Sequence, residues 1–479
     1  MAMHVPLVVL GGGPGGYAAA FRAADGGMPV AIVDAEPRLG GTCLLRGCIP
    51  SKSLLHVASV IGESAALSEI GVTLQLAQLD LDRLRQHQRQ LIERLTKGLE
   101  QLAKRRKVTR IVARGRFADS QTLELEGDHA SIPTDRRLTF DHCIVATGST
   151  VAIPGPWRDL PSDRIWTSRE ALELPSVPRS LVVVGGGYIG LELATVFARL
   201  GSRVAVVELA EQILPQVDSD LVKPLAKTME TLCAGGVHTS TRVDRLTPTA
   251  SHVEVVLQRE EEVWTESFEQ VLVAVGRRPN TSGLGLDRTH VQLDATGFVR
   301  HDPRMRTDDP HLMVIGDAAG EPMLAHKAAH EGRVAAEVLL GEPAEFAPVA
   351  IPAVVFTDPE IAWAGLTERQ AETQGIDYTT ALYPWGASGR AQANRRTDGL
   401  TKWLLEPSSG RLLGCGIVGH GAGELIAEAV VALEAGLEAR DLSESIHPHP
   451  TLSETLMHAA DVFFGTATEI YKPRRRRAR

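Results

Sequence analysis

The stretch VPLVVLGGGPGGYAAA, residues 5–20, decides the fold, because it returns as LVVVGGGYIGLELA at residues 181–194. Each copy reads as an apolar strand, a glycine turn and the start of a helix. Gly11, Gly13 and Gly16 recur as Gly185, Gly187 and Gly190, and an acid follows each set at the same offset, Asp34 in the first copy and Glu208 in the second. This is the βαβ fingerprint of dinucleotide binding. In it the first two glycines let backbone N–H groups approach a pyrophosphate at a helix N-terminus, the third lets helix and strand pack closely, and the acid binds ribose hydroxyls. A lone glycine pattern is weak, but two of them, each with strand, helix and spaced acid, predict two nucleotide sites on one chain.

The rest of the chain arranges itself around these repeats. Its 479 residues leave room for about three domains, and a hydrophobic content of 43% supplies a core for each. Lysine and arginine number 50 against 59 acids, a net charge of −9, which argues for small-molecule chemistry rather than nucleic acid or an anionic membrane. Between the repeats, LDLDRLRQHQRQLIERLTKGLEQLAKRRK carries leucines at helical spacing, and TRIVARGRF and TLELEG alternate, which predicts a long helix and then a small antiparallel layer. The basic cluster Lys104, Arg105, Arg106 and Lys107 reads as a solvated helix end. Two further strand ends, VLVAVGRRPN and LMVIGDAAG, follow the second repeat, and from about residue 350 a segment without a glycine fingerprint reads as a separate domain. The closing KPRRRRAR is expected to be a disordered tail. The N-terminal stretch lacks the basic start and unbroken apolar run of a signal peptide, and no apolar run has the length of a membrane span, so a soluble, cytoplasmic protein is expected.

Five cysteines in so long a chain do not make a disulfide framework, so most are expected as free thiols of a reducing compartment. Cys43 and Cys48 stand apart, in GGTCLLRGCIPSK at residues 40–52. The spacing is not that of a zinc site, and Cys143, Cys233 and Cys415 have no partners at metal-ligand spacing, so they read as buried small hydrophobes and no metal is expected. An ideal helix would set Cys43 and Cys48 about 7.5 Å apart along its axis, so a bond between them needs a distorted turn, which Gly47 and Pro50 can supply. A disulfide in such a setting beside a nucleotide site is the reducible kind.

GGTCLLRGCIPSK, set between two dinucleotide fingerprints, resembles the flavoprotein disulfide reductases, and the resemblance spans essentially the whole chain. IVATGS at 144–149, VAVGRRPN at 273–280 and VIGDAAG at 314–320 resemble the family's junction and flavin-contacting segments, and HPHPTLSE at 447–454 resembles its C-terminal base motif. PMLAHKAAHEG at 322–332 and the Ile-Pro-Ser-Lys ending are similar to the branch that oxidises dihydrolipoamide with NAD. The resemblance implies an α/β chain of two Rossmann-like dinucleotide-binding domains and a C-terminal α+β dimerisation domain. Residues 1–150 would bind FAD, 151–278 would bind NAD, 279–349 would form a central domain completing the FAD site, and 350–479 would form the interface of a homodimer.

By the same resemblance FAD meets Gly11, Gly13, Gly16, Asp34, Gly41, Thr42, Lys52, Gly115, Thr147, Gly148, Asp317 and Ala325. NAD meets Gly185, Gly187, Tyr188, Gly190, Glu208, Val243 and Gly276, with Tyr188 covering the nicotinamide pocket until NAD enters. The carboxylate at Glu208, with no arginine in the following ELAEQILPQ, would repel the 2′-phosphate of NADP. The catalytic set is Cys43, Cys48, His449, Glu454, Lys52 and Glu192. Lys52 and Glu192 are expected to pair beside the flavin ring and tune it. His449, oriented by Glu454, is expected to act across the dimer as a base on the substrate thiol, whose thiolate attacks Cys43 of the other chain. The chain departs from the family pattern at Leu45, Arg46 and Pro448, and Arg46 is expected to favour thiolate at the cysteines. The expected partner is dihydrolipoamide on a lipoyl domain of an acyltransferase or carrier protein. The rivals are a reductase of glutathione-like disulfides or mercuric ion, against which the lack of arginines after the second fingerprint and of a C-terminal cysteine pair argue, and a non-catalytic scaffold flavoprotein.

Overall fold

The computed structural model describes residues 3–74, 78–161 and 163–471, so the arginine-rich end lies outside the described residues. The first fingerprint strand, Met3–Leu10, lies at the centre of a seven-stranded sheet. It pairs in parallel with Val30–Asp34 on one side and Arg137–Val145 on the other. Leu7, Val8, Val9 and Leu10 are all buried, the unbroken apolar run of a parallel strand covered on both faces. The helix Pro14–Asp25 opens with proline in its first turn and buries a face of small residues, Gly15, Gly16, Ala19, Ala20 and Ala23.

That small face has a specific partner. Helix Ala325–Leu339 packs against it so closely that a Cβ on Gly332 would lie 2.4 Å from the carbonyl oxygen of Gly15. The strand Leu312–Val314 pairs in parallel with Arg137–Val145 in the same first sheet. Residues 279–349, expected as a central domain, thus complete the first unit from within: its sheet accepts their strand and its fingerprint helix accepts their helix.

The long helix is present as Leu81–Arg105, capped by Asp80, and its basic end is solvated, with Arg106 bonded to Asp25 at 2.8 Å. The small antiparallel layer is only partly as expected. Thr109–Val112 joins the parallel strands beside Val30–Asp34, while Arg114–Asp119 and Thr122–Glu126 form an antiparallel hairpin against Arg137–Val145.

The second fingerprint builds a five-stranded sheet in the order Val237–His238, Arg203–Val207, Ser180–Val184, Gln270–Val273, Ile165–Trp166, all parallel. A three-stranded antiparallel sheet, Arg242–Pro248, Val253–Arg259 and Glu262–Phe268, is inserted into it. The chain enters and leaves this unit through a two-stranded antiparallel ribbon, Ser149–Val151 with Arg277–Pro279. The third unit is a five-stranded antiparallel sheet, with helices Ala422–Glu434 and Glu454–Phe464 packed on a core that holds Tyr383, Trp385 and Trp403. No helix of the described residues is long and apolar enough to cross a membrane.

One helix ignores the sequence boundaries. Cys48–Ala66 belongs by position to the first unit, yet Leu54, Leu55 and Ala58 are buried in the core of the second, with Leu191, Ala194 and Val355. This packing carries the cysteines toward the second fingerprint helix, Tyr188–Arg199.

Candidate active site

The two cradles are built alike, down to single atoms. In the first, the amide of Gly12 donates to Asp34 Oδ2 at 2.5 Å and that of Glu36 to Oδ1 at 2.8 Å. In the second, Gly186 donates to Glu208 Oε2 at 2.6 Å and Ala210 to Oε1 at 2.8 Å. Burial pushes the Asp34 carboxyl above its ordinary value, against the pull of these two amides. Each acid is therefore pinned by the middle glycine of its own turn, a role absent from the motif reading; the repetition of three glycines in a row at both sites was its only signal in the sequence.

The glycines divide their work differently from the expectation. Gly11 and Gly185 have φ of +118° and +112°, and a Cβ on either would collide with the next strand, 2.2 Å from the oxygen of Ala146 and 2.4 Å from that of Ala274. They make the turn, where only glycine fits. Gly16 and Gly190 pack against the Gly11 and Gly185 carbonyls, where a Cβ would sit at 1.9 and 2.0 Å. Gly187 has open space where its Cβ would be, and Gly13 meets only the Cα of Gly41 at 3.8 Å. Neither helix has a side-chain cap at this end. Free amides at an open helix N-terminus fit a pyrophosphate, so the residues present suit FAD in the first cradle and NAD in the second.

The cysteine segment starts on the first cradle. Gly40 donates to the Gly12 carbonyl at 2.9 Å, and Gly41, with φ of +57°, lies against Gly13. From there Gly41–Arg46, which includes Thr42, forms one short helix and Cys48–Ala66 the next, broken at Gly47. A Cβ on Gly47 would meet the Thr42 oxygen at 2.8 Å, so glycine is what allows the chain to fold back here. The break brings the two thiols together. Cys43 is half-buried and Cys48 open to solvent on one side, and each thiol acts on the other's ionisation. The neighbouring Cys43 thiol lowers Cys48 to about 7, burial opposes it, and the Lys52 ammonium assists it; Cys48 in turn, with burial, holds Cys43 well above the ordinary thiol value. Cys48 is the thiolate of the pair.

Lys52, one turn on, bonds both oxygens of Glu192, at 3.0 and 2.9 Å. Glu192 is buried and also accepts the amide of Phe356 at 3.1 Å, while the Phe356 ring lies 4.3 Å from the Lys52 ammonium. Three units thus meet at one ion pair. Phe356 escaped the sequence reading because no local pattern marks a residue that serves by crossing from another domain.

Asp317 sits in a single turn of helix, Gly316–Ala318, and accepts the Ser149 hydroxyl at 2.5 Å; Arg277 in turn donates to the Ser149 hydroxyl and carbonyl, both at 2.7 Å. Thr147 donates to the Asn280 carbonyl at 2.7 Å and the Gly148 carbonyl accepts the Asn280 amide at 2.9 Å, so both lie at the first unit's end of the ribbon joining the nucleotide units. Ala325 opens its helix, whose N-terminus carries no side-chain cap. Gly115 is packed against Leu10, Leu123 and Val33, two residues past an amide bonded to the Asp34 carbonyl. In the second cradle Tyr188 opens the fingerprint helix, its phenol raised to about 12 chiefly by burial, in the field of Arg277, Asp317, Glu192 and Cys48. Val243 follows Thr241, whose amide bonds the Glu208 carbonyl at 2.9 Å, and Gly276, with φ of +123°, opens onto free space.

His449 and Glu454 pair as expected, Nδ1 to Oε1 at 2.9 Å, with the second carboxylate oxygen taking the Thr451 amide at 2.8 Å. Burial pushes the Glu454 carboxyl up, but these two bonds outweigh it and hold it below its ordinary value. The His449 side chain is 78% exposed and bonds to neither cysteine of its own chain. The Arg46 guanidinium pairs with Glu36 in the loop after Asp34. Cys143, Cys233 and Cys415 are buried. Among the described residues one group of three metal-ligating side chains gathers, Asp218, Asp220 and Glu368, and the Lys402 ammonium fills it.

Comparison with known proteins agrees with this geometry. The pattern of the pyridine nucleotide-disulphide oxidoreductases matches residues 5–332, and that of their dimerisation domain matches residues 351–460. The dihydrolipoyl dehydrogenase of Vibrio cholerae serotype O1 is 43% identical over 97% of this chain and 96% of its own, and that of Halobacterium salinarum is 42% identical over 96% of each. Among solved structures, the chain is similar to LpdA from Mycobacterium tuberculosis, with a TM-score of 0.86, 27% identity and coverage of 96% of this chain and 99% of that one. It is also similar to the HOCl-induced flavoprotein disulfide reductase RclA from Escherichia coli, with a TM-score of 0.83, 25% identity and the same coverage. With both cradles, the thiol pair and both family patterns in place, the chain belongs to the pyridine nucleotide-disulphide oxidoreductase family, flavoprotein enzymes whose cofactors are FAD and NAD.

Proposed function

We propose that this chain is a dihydrolipoyl dehydrogenase, oxidising dihydrolipoamide on the lipoyl domain of an acyltransferase or carrier protein and passing the electrons to NAD. The observation that carries the reading is the Cys43–Cys48 thiol pair, polarised toward Cys48 and set beside the Lys52–Glu192 pair between two nucleotide cradles. FAD, when bound, supplies the relay that takes the electron pair from the dithiol to NAD.

The chain's own residues hold and move the protons. His449, with Nδ1 fixed by Glu454, leaves Nε2 to take a proton from a substrate thiol. The resulting thiolate attacks the sulfur of Cys43 in a Cys43–Cys48 disulfide, forming a mixed disulfide and releasing Cys48 as thiolate. The second substrate thiol then expels Cys43, closing cyclic lipoamide and leaving both cysteines reduced. Lys52 stabilises the Cys48 thiolate throughout.

The exposure of His449, away from its own cysteines, and the dimerisation pattern over residues 351–460 support a homodimer in which each base serves the thiols of the other chain. Three buried thiols suit the reducing cytoplasm. Anaerobic addition of dihydrolipoamide to the purified yellow protein, followed by NAD, tests the reading. NADH is expected, and its formation should vanish in Cys43→Ser while NADH oxidation by an artificial acceptor persists. Unchanged dihydrolipoamide turnover in that variant, or no NADH from the parent protein, would overturn it.

A further inference from the structure

His447 belongs to the base motif, yet the reaction as derived gives it no part. Both of its ring nitrogens meet acceptors: Nδ1 the Ser445 carbonyl at 2.9 Å and Nε2 Glu428 Oε1 at 2.7 Å. A neutral imidazole has one N–H and would set a lone pair against one of these oxygens, whereas the imidazolium donates to both. Its side chain is 8% exposed, so the mismatch of a neutral ring would not be relieved by water.

The surroundings give that cation a task. Residues 445–453 form neither helix nor strand, and Ile446 is 99% exposed. Among the described hydrogen bonds, the one from His447 to Glu428 is what ties this segment to helix Ala422–Glu434. His449 lies two residues on, its Nδ1 held by Glu454. The charged groups facing His447 are Glu428 from that helix and Glu454 from the helix Glu454–Phe464. Burial lowers the affinity of His447 for its second proton, and Glu428 with the Ser445 carbonyl more than restores it.

We propose that His447 is a positioning residue of the reaction: a buried imidazolium that anchors the base loop to Glu428 and so holds His449, with its Glu454 partner, in place as the base. The inference rests on His449 being that base.

The test compares His447→Gln, Glu428→Gln, His449→Gln and the double variant His447→Gln/His449→Gln. The readout is kcat and KM for dihydrolipoamide taken separately, with rates normalised to bound flavin so that poor folding is not counted as poor catalysis. His447→Gln strands the Glu428 carboxylate and frees the base loop, and is expected to lower kcat about tenfold with KM little changed. Glu428→Gln removes the anion that holds the ring charged but leaves an amide oxygen to accept from Nε2, and is expected to lower kcat in the same direction by a smaller factor. In the His449→Gln background, His447→Gln should add no further loss. An unchanged kcat in both single variants, or a His447→Gln loss that persists in full without His449, overturns the inference. An undiminished rate in His449→Gln overturns the base assignment itself, a separable outcome.

Discussion

The Lys52 ammonium lies 3.0 and 2.9 Å from the two carboxylate oxygens of Glu192, a residue 140 positions away and on the other nucleotide unit. The pair joins helix Cys48–Ala66 to the second fingerprint helix, and it is unequal in exposure: the Glu192 side chain is 4% exposed and that of Lys52 33%. Its loss is therefore felt mostly at Glu192. Lys52→Met should leave that carboxylate buried and uncompensated at a cost of about 3 kcal/mol, the low end for a broken buried pair because Lys52 is partly solvated. Denaturant unfolding of the holoenzyme would measure it; a change below about 1 kcal/mol would mean that the Phe356 amide and water suffice.

The thiol pair makes a prediction about pH. Cys48 is lowered to about 7, first by the neighbouring Cys43 thiol, so its thiolate, and with it alkylation of the reduced protein by iodoacetamide, should appear as pH rises through about 7. Cys43→Ala removes that thiol, and the midpoint for alkylation of Cys48 should move up by at least one unit. A midpoint unchanged in that variant would assign the shift to Lys52 instead.

Glycines that look alike in sequence should fail differently. Gly190→Ala places a methyl 2.0 Å from the Gly185 carbonyl and should cost about 3 kcal/mol or more, seen as a lower melting temperature. Gly187→Ala fills open space, so the protein should fold with nearly unchanged stability and bind NADH about tenfold more weakly, because the methyl stands where the pyrophosphate approaches. Calorimetric titration with NADH separates the two.

Lys402 offers the sharpest stability test. Its side chain is 1% exposed, and its three N–H donors meet Asp218 at 2.9 Å, Asp220 at 2.7 Å and Glu368 at 2.6 Å, joining the second unit to the third. Lys402→Met should leave three facing carboxylates without a counter-charge and destabilise by about 3–5 kcal/mol. The loss should shrink as pH falls into the carboxylate range, because protonation then relieves the repulsion. Urea unfolding at neutral and mildly acidic pH would measure both.

The sequence by itself determined both nucleotide cradles, the thiol pair and the base motif, because each is local. A fingerprint is written in glycines that a turn requires and an acid at fixed offset, and Gly47 marks the break that a thiol pair five residues apart must have. Local pattern also assigned Leu81–Arg105 and the buried single cysteines correctly. What the sequence alone left open was where pieces go. Residues 279–349 read as a domain because nothing local says that Leu312–Val314 will find Arg137–Val145, or that the glycine and alanine face of one helix is shaped for another more than 300 residues on. Arg46 read as a cation for the thiols because its spacing suggested it, and only the fold brings Glu36 close enough to pair with it. Phe356 against Lys52, the amide of Gly186 on Glu208, and Lys402 among its three acids were likewise decided by the tertiary structure. The physical reason is common to them all: a turn or helix is selected by neighbours along the chain, whereas a buried charge is satisfied by whichever group the packing delivers.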